Sequence, residues 1–149
     1  MEIKMTLKIK RMRDGAKLPK RATVGSAGYD LSACVEQPLT IEAGKRALIP
    51  TGIAAALPEN TVGLVFGRSG LGIRHGLAPS NAVGVIDSDY RGEIMVGLSN
   101  HSDADYTIEP GERIAQLVIV PVFTPDIEEA DELTDTERSA GGFGSTGKE

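Results

Sequence analysis

The stretch Asn81-Ala-Val-Gly-Val-Ile-Asp-Ser-Asp-Tyr-Arg-Gly-Glu93 carries the densest chemistry of the chain. Asp87 and Asp89 stand two residues apart, so an extended backbone would direct both carboxylates to one face. An aspartate of ordinary acidity is ionised at neutral pH. A calcium loop is excluded: Arg91 falls on the fifth ligand position and Leu98 on the twelfth, where a glutamate is required. His75 and His101 share no metal-ligand spacing and read as surface or structural residues. A Ser-His-Asp triad can be drawn on paper, but nothing in the sequence selects it.

The cations point to phosphate. From residue 46 to 147 every basic residue is an arginine, namely Arg46, Arg68, Arg74, Arg91, Arg113 and Arg138. Arginine makes planar, two-toothed contacts with phosphate oxygens. The net charge of −5 argues against general affinity for a nucleic-acid backbone, so an anionic ligand must meet a local cluster of these residues. Eight of the 16 basic residues lie in the first 21, where Lys4, Lys8 and Lys10 alternate with Ile3, Met5, Leu7 and Ile9 as in a strand with one wet face. Gly142 to Lys148 fits the opening of a phosphate-binding P-loop, but Glu149 stands where Ser or Thr should bind magnesium. The segment keeps useful chemistry all the same, with accessible amides, the Ser145 and Thr146 hydroxyls, the Arg138 charge and the flat Phe143 ring.

The elements that position these residues are short strands. Gly and Pro recur every eight to twelve residues, and Val, Ile and Leu fill the intervals. Strands are expected at Lys4–Arg11, Lys45–Pro50, Thr61–Phe66, Glu93–Asn100, Tyr106–Glu109 and Arg113–Val122. The one helical candidate is Ser69–His75, with Ser69 placed to cap it. An all-β barrel or jelly roll follows. The 149 residues, 40% apolar, suit one such domain. The lone Cys34 excludes a disulfide framework, reads as a small buried apolar residue and suits a reducing cytoplasm. No run approaches the length of a membrane span, and the N-terminus lacks the apolar core of a signal peptide. Seven acidic residues between Asp126 and Glu137 precede the glycine-rich end. The expected division is therefore a barrel over 1–125 and an acidic linker with a loose tail over 126–149.

Five motifs in order resemble those of the trimeric deoxyuridine triphosphate nucleotidohydrolases, the dUTPases: Ala27-Gly-Tyr-Asp-Leu-Ser-Ala33, Arg68-Ser-Gly-Leu71, Asn81 to Glu93, Arg113-Ile-Ala-Gln-Leu117, and Arg138 to Gly147. One departure is Gly67, where many members have proline.

The resemblance implies a distorted jelly-roll β-barrel of the β-clip type with one short helix and a flexible C-terminal tail. It also implies a cytoplasmic homotrimer whose active sites are shared between subunits, with no membrane and no stable nucleic-acid partner. The implied reaction is hydrolysis of dUTP to dUMP and pyrophosphate, with magnesium carried on the triphosphate; it would limit uracil incorporation into DNA and supply dUMP for thymidylate synthesis. Asp87 would activate the water that attacks the α-phosphorus. Arg68, Ser69 and Gly70 would contact phosphates, Gln116 would order the phosphates and water, and Asp30 would reach the metal through water. Asn81, Gly84, Val85 and Ile86 would form a hairpin around uracil, closed tightly by small residues such as Ala82. Tyr90 would pack under the sugar and refuse a 2′-hydroxyl. Phe143 would stack on uracil and Gly144 would bind substrate, while Arg138 and Ser145 close over the β- and γ-phosphates. Asp89 reads as a turn carboxylate rather than a second catalytic group. Two rivals differ in class: a dCTP deaminase, against which the Phe143 tail speaks, and a binding module that holds dUTP without hydrolysis, against which Asp87 speaks.

Overall fold

The structure, a computed structural model, describes residues 5–147. The strands run in the order β1 Lys8–Arg11, β2 Tyr29–Ser32, β3 Leu39–Ile41, β4 Arg46–Pro50, β5 Ile53–Ala56 and β6 Thr61–Phe66. The helix α1, Ser69–His75, follows, and then β7 Leu77–Pro79, β8 Gly84–Ile86, β9 Met95–Asn100, β10 Tyr106–Ile108 and β11 Arg113–Pro121. Every strand pair is antiparallel. One sheet has the order β2-β11-β6-β8, a second β4-β9-β7, and β1-β5 and β10-β3 close the sides. Most neighbours in space are distant in sequence, as a jelly-roll barrel requires. Leu31, Ile41, Ile49, Ile53, Leu98, Ile108, Ile114 and Leu117 fill the interior, each with at most 1% of its surface exposed.

Alternation along β6 and β11 sets what each face of the first sheet does. Thr61, Gly63 and Val65 turn to the core and are buried, while Val62, Leu64 and Phe66 are only half-buried. Pairing register lines Val118 up with Leu64 and Leu64 with Val85, whose side chain is 65% exposed. The outer face of this sheet therefore carries an apolar stripe across three strands.

Several sequence expectations need correction. The first strand is Lys8–Arg11 rather than Lys4–Arg11; Met5 to Leu7 lack partners, and Lys4 lies outside the described residues. Its Lys8 and Lys10 are exposed, as a wet face demands. The helix is where the spacing put it, but Ser69 does not cap it. Arg68 occupies that position with extended backbone and no side-chain cap bond, and Ser69 is the first helical residue. Gly76 ends the helix in the left-handed conformation (φ 68°), where glycine carries no steric penalty. Cys34 is partly exposed, its sulfur 3.5 Å from the Asp14 carbonyl. Asp87 and Asp89 do not share an extended face, because the amide of Tyr90 donates to the Asp87 carbonyl at 3.1 Å and closes a turn between them. Asp89 is an exposed residue of that turn.

Candidate active site

The first group of expected residues meets around β8. Asn81, Gly84, Val85, Ile86, Asp87 and Tyr90 line a cavity of about 270 Å³ together with Val65, Pro79, Glu93 and the start of β9. Ala82 tolerates its left-handed backbone (φ 65°) through the turn in which its amide donates to the Pro79 carbonyl. The backbone at Gly84 lies against Val65, where a Cβ would come within 3.1 Å. A larger residue would push β8 from β6. Asp87 is exposed at the cavity edge. The Tyr90 hydroxyl donates to the Glu93 carbonyl at 2.9 Å, and its ring lies over Gly92, where a Cβ would meet the phenol oxygen at 2.4 Å. The cavity is smaller than the roughly 300–1,000 Å³ usual for whole ligands.

The second group meets at the other edge of the same sheet. Asp30, Arg68, Ser69 and Gln116 line a hollow of about 320 Å³ with Ala22, Ser26, Ala27, Gly28 and Arg113. Asp30 sits between two guanidinium groups, 3.7 Å from Arg68 and 3.2 Å from Arg113. Two cations against one carboxylate leave local positive charge on a chain of net −5, as an anion site needs. The Gln116 side chain donates to the Gly67 carbonyl at 3.0 Å, and a Cβ at Gly28 would strike its amide oxygen at 2.3 Å. Gly28 therefore makes room for the glutamine. Gly67, the departure from the usual proline, has its own reason: a Cβ there would press on the Pro79 ring at 3.1 Å. Ser69 and Gly70 are exposed in the first turn of α1, where backbone amides have no helical partners.

The third group lies apart from both. Arg138 donates to the Gly141 carbonyl at 2.8 Å, and the described hydrogen bonds of residues 123–147 all fall within that segment. Phe143 is fully exposed, as are Phe123, Ile127 and Leu133 nearly so. Gly144 and Ser145 are likewise exposed and make no contact with either hollow.

Register separates the first two groups. Ile86, just before Asp87, pairs with Gly63, whereas Gln116 pairs with Phe66 and Asp30. Strand geometry then puts Ile86 about 14 Å from Gln116 and about 17 Å from Asp30, and the chain runs further away into Asp87. The two hollows share no lining residue. One chain thus presents two half-sites, not one cleft.

No three His, Cys, Asp or Glu side chains come together among the described residues, so a resident metal cage lacks donors there. Asp30, already shared by two arginines, suits an outer contact through water better than direct ligation. Sequence reasoning missed Gly28, Arg113 and Glu93 as parts of these hollows. The arginine-only stretch could have flagged Arg113, and the Ala27-Gly28 motif could have flagged the glycine.

The sequence signature described as dUTPase matches residues 14–147. The deoxyuridine 5'-triphosphate nucleotidohydrolase of Desulfitobacterium hafniense is 51% identical over 146 residues, covering 97% of each chain. That of Burkholderia multivorans is 50% identical over 149 residues, covering 98% of this chain and 99% of its own. Among solved structures, the Staphylococcus bacteriophage 80alpha dUTPase G164S mutant with dUpNHpp superposes with a TM-score of 0.88 at 32% identity, covering 96% of this chain and 99% of that one. With a matching barrel and a signature that spans both half-sites and the tail, the chain belongs to the dUTPase family.

Proposed function

We propose that this protein hydrolyses dUTP to dUMP and pyrophosphate in sites assembled from more than one copy of the chain. The observation that carries this reading is the division of the chemistry: a base-sized cavity with Asp87 at its edge, and a cation-lined hollow beyond its reach on the same sheet. A whole site then needs the Asp87 half of one copy beside the Arg68–Gln116 half of another. The apolar stripe of Val118, Leu64 and Val85 supplies a surface for that association, since burying it in a homotrimer removes apolar area from water.

Within such a site, Asp87 accepts the proton of a water whose oxygen bonds to the α-phosphorus, and the bond from that phosphorus to the bridging oxygen breaks to release pyrophosphate. Arg68 and Arg113 stabilise the charge that develops on the phosphates, and Gln116, held by Gly67, orders them. The family is metal-dependent. With dUTP bound as its magnesium complex, Asp30 would reach that ion through water, and the ion would supply charge stabilisation on the phosphates. The backbone of 81–86 pairs with the uracil edge. A hydrogen-bonded edge rejects a mismatched partner by about 10⁴–10⁵-fold, which refuses cytosine. Small residues, Ala82 and Gly84, let the hairpin close tightly around position five of uracil, which refuses the methyl of thymine. Tyr90 refuses ribose. Arg138, Phe143, Gly144 and Ser145 come from a tail that closes over the filled site and excludes bulk water. No described helix is long and apolar enough to cross a membrane, and a cytoplasmic location fits the lone thiol.

Pyrophosphate release measured with dUTP, UTP, dTTP and dCTP tests the reading. Turnover confined to dUTP is expected, and a single turnover in ¹⁸O-water should label dUMP. Ammonia from dCTP would identify the deaminase instead. Label in pyrophosphate would move the attack to the β-phosphorus.

A further inference from the structure

Glu93 lines the base-side cavity, and its carboxylate accepts a hydrogen bond from an arginine 80 residues earlier. The Arg13 Nε–H donates to Glu93 Oε1 in an ion pair, with the Glu93 side chain only 14% exposed and that of Arg13 52% exposed. A carboxylate so enclosed is costly to leave unpaired, so the arginine is the group that holds it. The Glu93 carbonyl in turn accepts the Tyr90 hydroxyl, and the Tyr90 amide donates to the Asp87 carbonyl. Arg13 thus holds the Glu93 side chain, while the Glu93 backbone links through Tyr90 to Asp87.

Both ends of the ion pair are anchored from behind by one buried segment. The Met12 amide donates to the Gly52 carbonyl at 2.7 Å, placing Arg13. The Ile94 amide donates to the Ile53 carbonyl at 2.8 Å, and the Ile94 carbonyl accepts the buried Thr51 hydroxyl at 2.6 Å, placing Glu93. Thr51, Gly52 and Ile53 are almost wholly buried, so they form a rigid backing for both partners. On the cavity side the hydroxyl bond and the Gly92 backbone hold the Tyr90 ring.

We propose that Arg13 is a positioning residue for sugar selection: through Glu93 it sets how deeply Tyr90 sits, and so how firmly the site refuses a 2′-hydroxyl. The inference rests on the sugar-refusing role given to Tyr90 above. A ring free to drop back by even part of an ångström opens the space that a hydroxyl needs. Arg13 itself touches no substrate, so its loss acts on discrimination and on KM more than on kcat.

The test is a coupled set of variants of the full chain, with kcat and KM measured for dUTP and UTP. Arg13→Ala should raise the UTP-to-dUTP ratio of kcat/KM about tenfold or more, the scale of one modest contact in a pocket. Tyr90→Phe, which removes the hydroxyl bond, should raise it in the same direction, and the double variant should do no more than the larger single change. Arg13→Lys, which keeps the charge, should recover most of the discrimination, and Arg13→Gln, which removes it at similar size, serves in place of Arg13→Ala if that variant does not fold. An unchanged ratio in folded Arg13→Ala or Arg13→Gln while Tyr90→Ala relaxes it would overturn the inference and leave the reading of Tyr90 standing. An unchanged ratio in Tyr90→Ala would overturn both. Additive effects of Arg13→Ala and Tyr90→Phe would also overturn the inference, because two independent routes would then act on the sugar.

Discussion

Asp87→Asn is expected to stop turnover while a non-hydrolysable dUTP analogue still binds. The substitution keeps size and shape, and Asp87 is exposed at the cavity rim without a side-chain hydrogen bond among the described residues. The fold therefore has little to lose. What disappears is the acceptor for the proton of the attacking water, a contribution of about 10²–10⁴-fold in general-base catalysis. Single-turnover rates beside analogue titration separate the two effects. Retained turnover would remove Asp87 from the base role, and lost binding would make it a substrate contact instead.

Deleting the chain from Arg138 onward should leave the barrel folded and lower kcat/KM by about 10²-fold or more, the scale of losing one preorganised charge-stabilising donor. The described hydrogen bonds of residues 138–147 reach no further back than Thr136, and Phe143 is fully exposed. Its removal costs no core contact. A glycine-rich segment with a fully exposed aromatic ring and an arginine is built to fold onto something else, and the filled site offers a base and phosphates of matching chemistry. A truncated protein with wild-type rate and an unchanged melting temperature would dismiss the lid.

How far the sequence carried these conclusions depends on the range of the interaction. Thr61–Phe66 and Ser69–His75 were legible to the residue because their signals are local: a run rich in Val and Leu between turn residues in one, and a helix closed by Gly76 in the other. Ile53–Ala56 was not, since three alanines give no strand signal and its place is set by burial between β1 and the core. The three-residue strands Leu39–Ile41, Leu77–Pro79 and Gly84–Ile86 are too short for any period to show. At the site, the residue types could be named in advance, but Asp87 and Asp89 lost their common face to a backbone turn that side-chain spacing does not encode. The partnership of Arg13 with Glu93 left no trace in the sequence, because only the folded barrel brings residues 80 apart together. Nor could spacing reveal that the base-side and phosphate-side residues belong to separate hollows; that follows from the register of β8, β6 and β11.

That separation is the central claim, and mixing two inactive chains tests it. Asp87→Asn and Arg68→Ala chains, each inert alone, are unfolded together, refolded in equal amounts and assayed for pyrophosphate release from dUTP. If each site draws its halves from different copies, about a quarter of wild-type activity should return, the chance that one site receives both intact halves. A mixture as silent as its components would mean that Asp87 and Arg68 serve the same site from the same chain.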